Sequence, residues 1–302
     1  VKRIPNLETT GIRKFFNGPE SFTPDTNYLL GETPEIKNFF VCCGFNSIGI
    51  VSAGGAGKVT AEWMINGEVN EDVFSLDITR FEKFHSETNF IIDRAAESLG
   101  NQYAMHWPYK QQKTSRNIKT FPYHDLLKKE GACFGQVAGF ESPLWYAIDG
   151  EKPEFKYSFG YQNWYKSAQN ETINTRKNVG FFELTPFAKF EIEGEAAYSS
   201  LQYLCSNDIK NNDGAITYTQ MLNSKGGIEA DLSVTCISKN KFRIITGSGV
   251  REHDKKHILR YLDQDVKFTD ITDSYSCFGI FGPKSRSLLT QMVGNEFENN
   301  KF

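Results

Sequence analysis

One stretch constrains the fold more than any other: Gly214 to Thr235, GAITYTQMLNSKGGIEADLSVT. It reads as an apolar strand from Ala215 to Leu222, a turn holding Asn223 and the Gly226-Gly227 pair, and a second strand from Ile228 to Ile237. Adjacent glycines supply the positive φ angles that a tight reversal needs. One acid, Asp231, sits inside the second strand. Aspartate is depleted in strands, and a carboxylate among Ile228, Leu232 and Val234 incurs a desolvation cost unless it has a partner or a task. Spacing alone leaves two readings open: a catalytic acid or base in a pocket, or a turn-adjacent aspartate capping a backbone N–H.

At 302 residues the chain has room for about two domains. Hydrophobic residues make up 39% and aromatics 14%, with 25 phenylalanines, enough for substantial cores. A net charge of −3 provides no basic field for a phosphate backbone, so nucleic-acid binding is disfavoured. The six cysteines (Cys42, Cys43, Cys133, Cys205, Cys236 and Cys277) contain no CxxC pair or metal-ligand spacing and mostly lie in apolar runs, the pattern of buried reduced thiols in a reducing compartment. No apolar run reaches the length of a membrane span, and VKRIPNLETT lacks the apolar core of a signal peptide. The expectation is a cytoplasmic protein, or a mitochondrial-matrix one if the source is eukaryotic, with no membrane partner.

Turn signals dominate residues 1–40. Phe39-Phe40-Val41-Cys42-Cys43 suits a buried strand, and it leads into a glycine-rich segment with glycines at 44, 49, 54, 55 and 57. Ala56, Val59, Thr60, Trp63 and Met64 then recur at helical spacing until Gly67 closes the helix. A strand, a glycine-rich turn and a helix N-terminus can bring backbone N–H groups to an anionic or electron-rich ligand. However, Ser52 and Val59 stand where a Walker A motif needs Gly and Ser or Thr, and no GxGxxG occurs. The glycines serve close helix packing or ligand contact, and the pattern does not choose.

From Asp77 to about Ala147 the pattern suggests a connecting subdomain, with a helix N-capped by Ser86 and ending at Gly100 and a short helix around Leu126. Its basic stretch KQQKTSRNIKT reads as a solvated loop. After a polar, aromatic stretch the pattern becomes that of a compact α+β domain. Phe187–Ile192 alternates as a half-buried strand, and Gly194 introduces an amphipathic helix with Ala197, Leu201 and Leu204. After the Gly214–Thr235 hairpin come a strand at Phe242–Thr246, a helix around His253–Leu262, strands near Val266–Ile271 and Cys277–Phe281, and a helix that begins at Pro283 and ends before Gly294. His253 and His257 have the i, i+4 spacing of metal ligands, but HDKKH lacks the Glu of HExxH, so an exposed helix face is the favoured reading.

Three segments, in order, resemble the dimethylglycine and sarcosine dehydrogenases and oxidases, flavoenzymes fused to a folate-binding domain of the glycine-cleavage aminomethyltransferase type. ESFTPDTNYLLGETPEIKNFFVCCGFNSIGIVSAGGAGKVTAEWMINGE looks like the closing part of the flavin domain. HWPYKQQ through GACFGQVAGFESPLWYA is similar to the central linker domain. Asn163-Trp164-Tyr165, FFELTPFAKFEIEG, SND, YTQMLNSKGGIEADLSVT and ITGSG resemble the folate domain. The resemblance implies a multidomain α+β and α/β architecture: residues 1–80 as the C-terminal part of an FAD-dependent oxidoreductase domain, 81–147 as the central linker, and 148–302 as a truncated aminomethyltransferase-like folate domain.

It also implies site residues. Gly44, Phe45, Asn46, Ser47, Gly49, Gly54 and Gly55 become FAD-contact candidates. Asp231 becomes the carboxylate that contacts the folate and organises one-carbon addition, with Tyr218 and Phe187 lining the same cleft. The chemistry is coherent, since a folate nitrogen must lose a proton as it attacks an iminium or formaldehyde carbon. The implied cofactors are FAD and tetrahydrofolate, and the implied substrate is a small N-methyl amine, sarcosine or dimethylglycine. The resemblance does not fix the electron acceptor, oxygen or an electron-transfer flavoprotein. The nucleotide-binding half with GxGxxG has no counterpart in the chain and the folate domain stops before its end, so a fragment inactive in oxidation is expected. An aminomethyltransferase with a flavin-like scaffold, or a non-catalytic folate-binding or regulatory module, is the alternative.

Overall fold

The computed structural model describes residues 2–69, 71–148 and 150–294. A two-stranded antiparallel ribbon opens the fold, β1 (Leu29–Glu32) against β2 (Phe40–Cys43). The long helix α1 (Gly49–Asn66) follows and ends on Gly67 in the left-handed conformation, φ 75°. The expected buried strand at 39–43 is an edge ribbon instead, with Cys42 and Cys43 exposed. Among the described residues only one strand pairs with it, and a two-stranded ribbon has no second layer to bury both faces. Gly31 explains how β1 meets α1: at φ 105°, a Cβ there would lie 2.6 Å from the Trp63 ring, so only glycine lets the helix's buried tryptophan seat on the strand.

The middle of the chain carries α2 (Thr88–Asn101), α3 (His124–Lys129) and a hairpin of β3 (Ala132–Val137) and β4 (Phe140–Tyr146). Helix α2 starts after Glu87, and Ser86 closes a preceding 3-10 turn rather than capping α2. The hydroxyl of Ser86 is taken by the Lys83 carbonyl at 2.7 Å, a local bond that competes with the cap. Trp145 of β4 is 1% exposed and anchors this hairpin.

Beyond α4 (Tyr165–Lys177), a short ribbon pairs β5 (Gly180–Glu183) with a strand close to the C-terminal end of the described residues. The domain core comprises β6 (Ala188–Glu193), α5 (Ala197–Leu204), β7 (Ile216–Leu222), β8 (Ile228–Ser238), β9 (Lys241–Thr246), α6 (Arg251–Tyr261) and β10 (Lys267–Asp270), followed by β11 (Phe278–Phe281) and α7 (Ser285–Val293). The five longer-range strands form one antiparallel sheet in the order β10-β6-β9-β8-β7. Period-two alternation sends Phe190, Ile192, Met221, Leu232, Val234, Phe242 and Ile244 to one face, where Leu201 of α5 and Ile258 of α6 cover them. Each such side chain contributes about 1.5–3 kcal/mol by leaving water. The same alternation leaves the opposite face to Tyr218, Gln220, Asp231, Ser233, Arg243 and Glu191.

Helix α6 also reaches the front of the chain. Lys256 Nζ donates to the Glu32 carbonyl at 3.0 Å, Arg260 to the Gly67 carbonyl at 2.7 Å, and Arg251 pairs with Glu82 at 3.2 Å. Among the described residues no helix is long and apolar enough to cross a membrane.

Candidate functional site

The hairpin signalled by the glycine pair forms as expected, with Gly226 at φ 81° in the turn and Asn223 Oδ1 accepting from the backbone N–H groups of Lys225 and Gly227. A register shift next to Leu222 leaves Gln220 opposite Asp231 and Tyr218 opposite Ser233. Asp231 therefore points away from the apolar core and is exposed. Neither the pocket carboxylate nor the N–H cap describes it. Its two oxygens are held from the side: Tyr218 Oη donates to Oδ2 at 2.9 Å and Gln220 Nε2 to Oδ1 at 3.2 Å. The carboxylate raises the Tyr218 phenol pKa, chiefly through that hydrogen bond. The result is an anion of fixed orientation on an open sheet face, with lone pairs left for an approaching N–H donor.

Strand register places Phe187 with this group. Leu232, Thr246 and Ala188 align across β8, β9 and β6. Asp231 and Phe187 therefore stand at the same end of the sheet, Phe187 just before β6 in the bend that leads into it. Phe187 is half-buried, and its carbonyl accepts from Lys189 Nζ at 2.8 Å. Lys189 is 3% exposed and gives its other protons to the carbonyls of Thr185, at 2.8 Å, and Thr272, at 3.2 Å. Burial lowers its pKa. A strand expected to be half-buried thus hides an ammonium that fixes the turn carrying Phe187.

Behind the hairpin lies a buried polar chain. Thr246 Oγ1 donates to Asp254, 1% exposed, and approaches the Asp231 carbonyl at 3.4 Å. Asp254 Oδ1 meets His253 Nδ1 at 3.0 Å, and His253 Nε2 meets Glu229 at 3.3 Å. Burial works against a charge on His253, but its bonds to Asp254 and Glu229 more than offset this and raise its pKa to about 9. The histidine pair is therefore no exposed helix face: His253 is an imidazolium between two acids, packed edge-on against Phe74 at 5.6 Å. Sequence reasoning passed over this because the i, i+4 spacing says nothing about what faces the helix.

The glycine-rich segment divides into two kinds of residue. Gly44 at φ 69°, Asn46 at 48° and Ser47 at 66° make a tight left-handed bend into α1. Asn46 is 1% exposed, with its side chain occupied by Thr23 and the Gly44 carbonyl. Ser47 Oγ is bonded to Glu20 at 2.7 Å, and Phe45 stacks on Tyr28 at 4.8 Å. These side chains shape the loop. A Cβ at Gly49 would meet Phe45, whereas one at Gly54 or Gly55 would meet nothing within 4 Å beyond the helix's own backbone. They leave a bare strip of helix backbone beside Ile50, 99% exposed, and Val51, 83% exposed. Close helix packing does not account for Gly54 and Gly55 among the described residues. A planar ring system could lie flat on that strip, so Gly54 and Gly55 fit a flavin better than the Asn46 side chain does.

Comparison with known proteins gives the family. Residues 123–302 match the GCVT N-terminal domain and residues 66–120 the FAD dependent oxidoreductase central domain. The chain is 39% identical to 4-methylaminobutanoate oxidase (formaldehyde-forming) of Paenarthrobacter nicotinovorans, over 98% of this chain and 36% of that protein. It is 33% identical to the mouse mitochondrial pyruvate dehydrogenase phosphatase regulatory subunit, over 97% of this chain and 34% of that protein. It is 30% identical to human mitochondrial sarcosine dehydrogenase, over 100% of this chain and 37% of that protein. The chain thus spans about a third of the length of these relatives.

A GCVT-type sheet domain joined to a flavoenzyme central domain sets the class, a multidomain α+β protein. The chain belongs to the family of the sarcosine and dimethylglycine dehydrogenases.

Proposed function

We propose that this chain is the folate-binding and flavin-adjoining part of an FAD- and tetrahydrofolate-dependent oxidative demethylase of N-methyl amino acids such as sarcosine or dimethylglycine. The observation that carries the reading is the oriented Asp231 carboxylate, held by Tyr218 and Gln220 on the open face of the GCVT sheet. Asp231 accepts the folate amine N–H and takes up its proton as the one-carbon unit adds, giving 5,10-methylenetetrahydrofolate. Tyr218 keeps the carboxylate from rotating, and Phe187 offers an aromatic wall at the same end of the sheet. When bound, FAD supplies the hydride acceptor, and the open backbone at Gly54 and Gly55 fits its approach. The proposed division of the chain is residues 1–80, 81–147 and 148–302 for the flavin-side, linker and folate units.

Two measurements test this. Tetrahydrofolate titrated into the chain should bind wild type about tenfold or more tightly than Asp231→Asn, the scale expected for a charge-assisted hydrogen bond. In the longer enzyme, Asp231→Ala should leave flavin reduction by substrate intact and release free formaldehyde. Equal methylenetetrahydrofolate yield from mutant and wild type sinks the role.

The likeness to a phosphatase regulatory subunit motivates a second reading, a non-catalytic module that uses the same sheet face. Flavin content separates the two readings. A flavin spectrum bleached by sarcosine in the longer protein supports the demethylase, whereas folate binding without flavin supports the regulatory module.

A further inference from the structure

A second site lies away from the Asp231 face, where the middle of the chain meets the N-terminal end of α6. Two basic residues, Arg94 and Lys189, are more than nine-tenths buried among the described residues. Neither has a carboxylate within salt-bridge distance. Lys189 is satisfied by three carbonyls. Arg94 is not: its Nη2 donates to the Thr114 and Ser115 carbonyls and to Gln136 Oε1, at 2.7, 3.3 and 2.8 Å, while its Nε has no partner. Glu97 and Glu141 act on it only from beyond salt-bridge distance and are bonded elsewhere, Glu97 to Thr114 and Glu141 to Arg116, and a buried guanidinium with no carboxylate in contact is disfavoured unless something supplies one.

Arg94 lines a cavity of about 270 Å³. Thr79 lines it too, 2% exposed, and its Oγ1 likewise has no partner. The Ser248–Val250 turn that opens α6 borders the cavity, bringing the positive end of an eleven-residue helix. The other lining charges are already neutralised. Glu82 is held by Lys119 at 2.8 Å and Arg251 at 3.2 Å, Glu252 by Lys255 at 3.2 Å, and Arg80 by Asp25 at 2.7 Å. His85 also lines the space, and burial lowers its pKa to about 4, so it is neutral near pH 7.

From this we infer that the cavity between α2 and the start of α6 binds a short-chain monocarboxylate, with its charge on Arg94 and its carbon tail against Phe84 and Phe90. One guanidinium with no carboxylate in contact matches a monoanion, whereas a phosphate dianion would meet Glu82 and Glu252 as well as the more distant Glu97 and Glu141. The Phe90 ring, 4% exposed and 5.0 Å from the Arg94 guanidinium, supplies the apolar wall. None of the residues assigned to folate or flavin lines the cavity, so this site stands or falls apart from that reading.

Acetate is the probe, titrated into the full chain at constant ionic strength against chloride. Arginine Nε–H resonances and the thermal midpoint are followed together. One Nε–H resonance, missing from the Arg94→Lys spectrum, should shift saturably, and the midpoint should rise with acetate. Arg94→Gln should bind acetate about tenfold or more weakly. The wild-type resonance decides the matter even if Arg94→Gln does not fold. Shifts that stay linear and common to all arginines overturn the site. Saturation by inorganic phosphate at lower concentration than acetate overturns the monocarboxylate.

Discussion

Asp231 keeps a fixed orientation in an exposed position because its partners are short-range and lateral. Tyr218 is 61% exposed, so Tyr218→Phe removes a hydrogen bond without opening a cavity. Stability should change by no more than about 0.5 kcal/mol, while tetrahydrofolate affinity falls several-fold; unchanged affinity in a binding titration would make the tyrosine a bystander. Gly31→Ala should behave oppositely. It combines a positive φ with a 2.6 Å approach to Trp63, and an unfolding curve should show a loss of about 1–3 kcal/mol with the sheet face unaltered. Two half-buried histidines with large shifts shape the pH dependence of stability. His253 titrates near 9 when folded and about 6.5 when unfolded, so its contribution is complete below pH 6.5 and is lost as pH rises through 9. His85 titrates near 4 when folded, so the unfolded chain takes up its proton first and stability falls as pH drops from about 6.5 towards 4. Urea midpoints should therefore peak around neutrality. His253→Gln should flatten the alkaline side, worth up to about 3 kcal/mol, and an unchanged alkaline decline in that variant would remove His253 as its source.

At the level of elements, α6 has two jobs. Its Ile258 is fully buried under the sheet, while Lys256, Arg260 and Arg251 fasten residues 29–85 to it. Lys256 also sits over the Trp63 ring at 5.6 Å, so one side chain touches both the ribbon and α1. Lys256→Ala should raise hydrogen exchange in β1 and the end of α1 while leaving β8 and β9 protected. Uniform loosening of all four elements would show instead that α6 acts only through the core. Helix α5 is the contrast, since its Leu201, 0% exposed, belongs to the core between the sheet and α6 and α5 carries no link to the front of the chain among the described contacts. Leu201→Ala should cost about 2–5 kcal/mol of global stability, read as a lower urea midpoint.

For the whole molecule, the front of the chain meets the sheet domain through hydrogen bonds, ion pairs and ring contacts such as Phe74 with His253 and Tyr123 with Phe278. The contiguous cluster of buried hydrophobics lies between the sheet, α5 and α6, whereas Leu30, Trp63, Phe90 and Trp145 sit in smaller groups nearer the front. The candidate carboxylate cavity falls at this seam, so acetate should stabilise the junction preferentially. Much of this layout was legible in the chain. The Gly226-Gly227 turn, the Gly67 cap and the alternation in β8 and β9 specify local geometry, and local geometry is what spacing encodes. The resemblance to the dehydrogenase family rested on the same runs of residues, and the family matches agree with it.

What spacing could not carry is the sidedness and partnership of polar groups. The sequence determined that an acid would sit in the second strand of a glycine-turned hairpin; the register, one residue at a time, decided that it would face away from the core. A slip of one would have turned it into the core and turned Leu232 and Val234 out of it. The sequence likewise contained Arg94, Lys189, His253 and Asp254 without any sign that they would be buried, because burial depends on elements far away in the chain: Thr272 against Lys189, Glu229 against His253, Gln136 against Arg94. Periodicity fixes which residues share a face, but only the packed fold fixes what that face meets. The chemistry of a charge is set by what it meets.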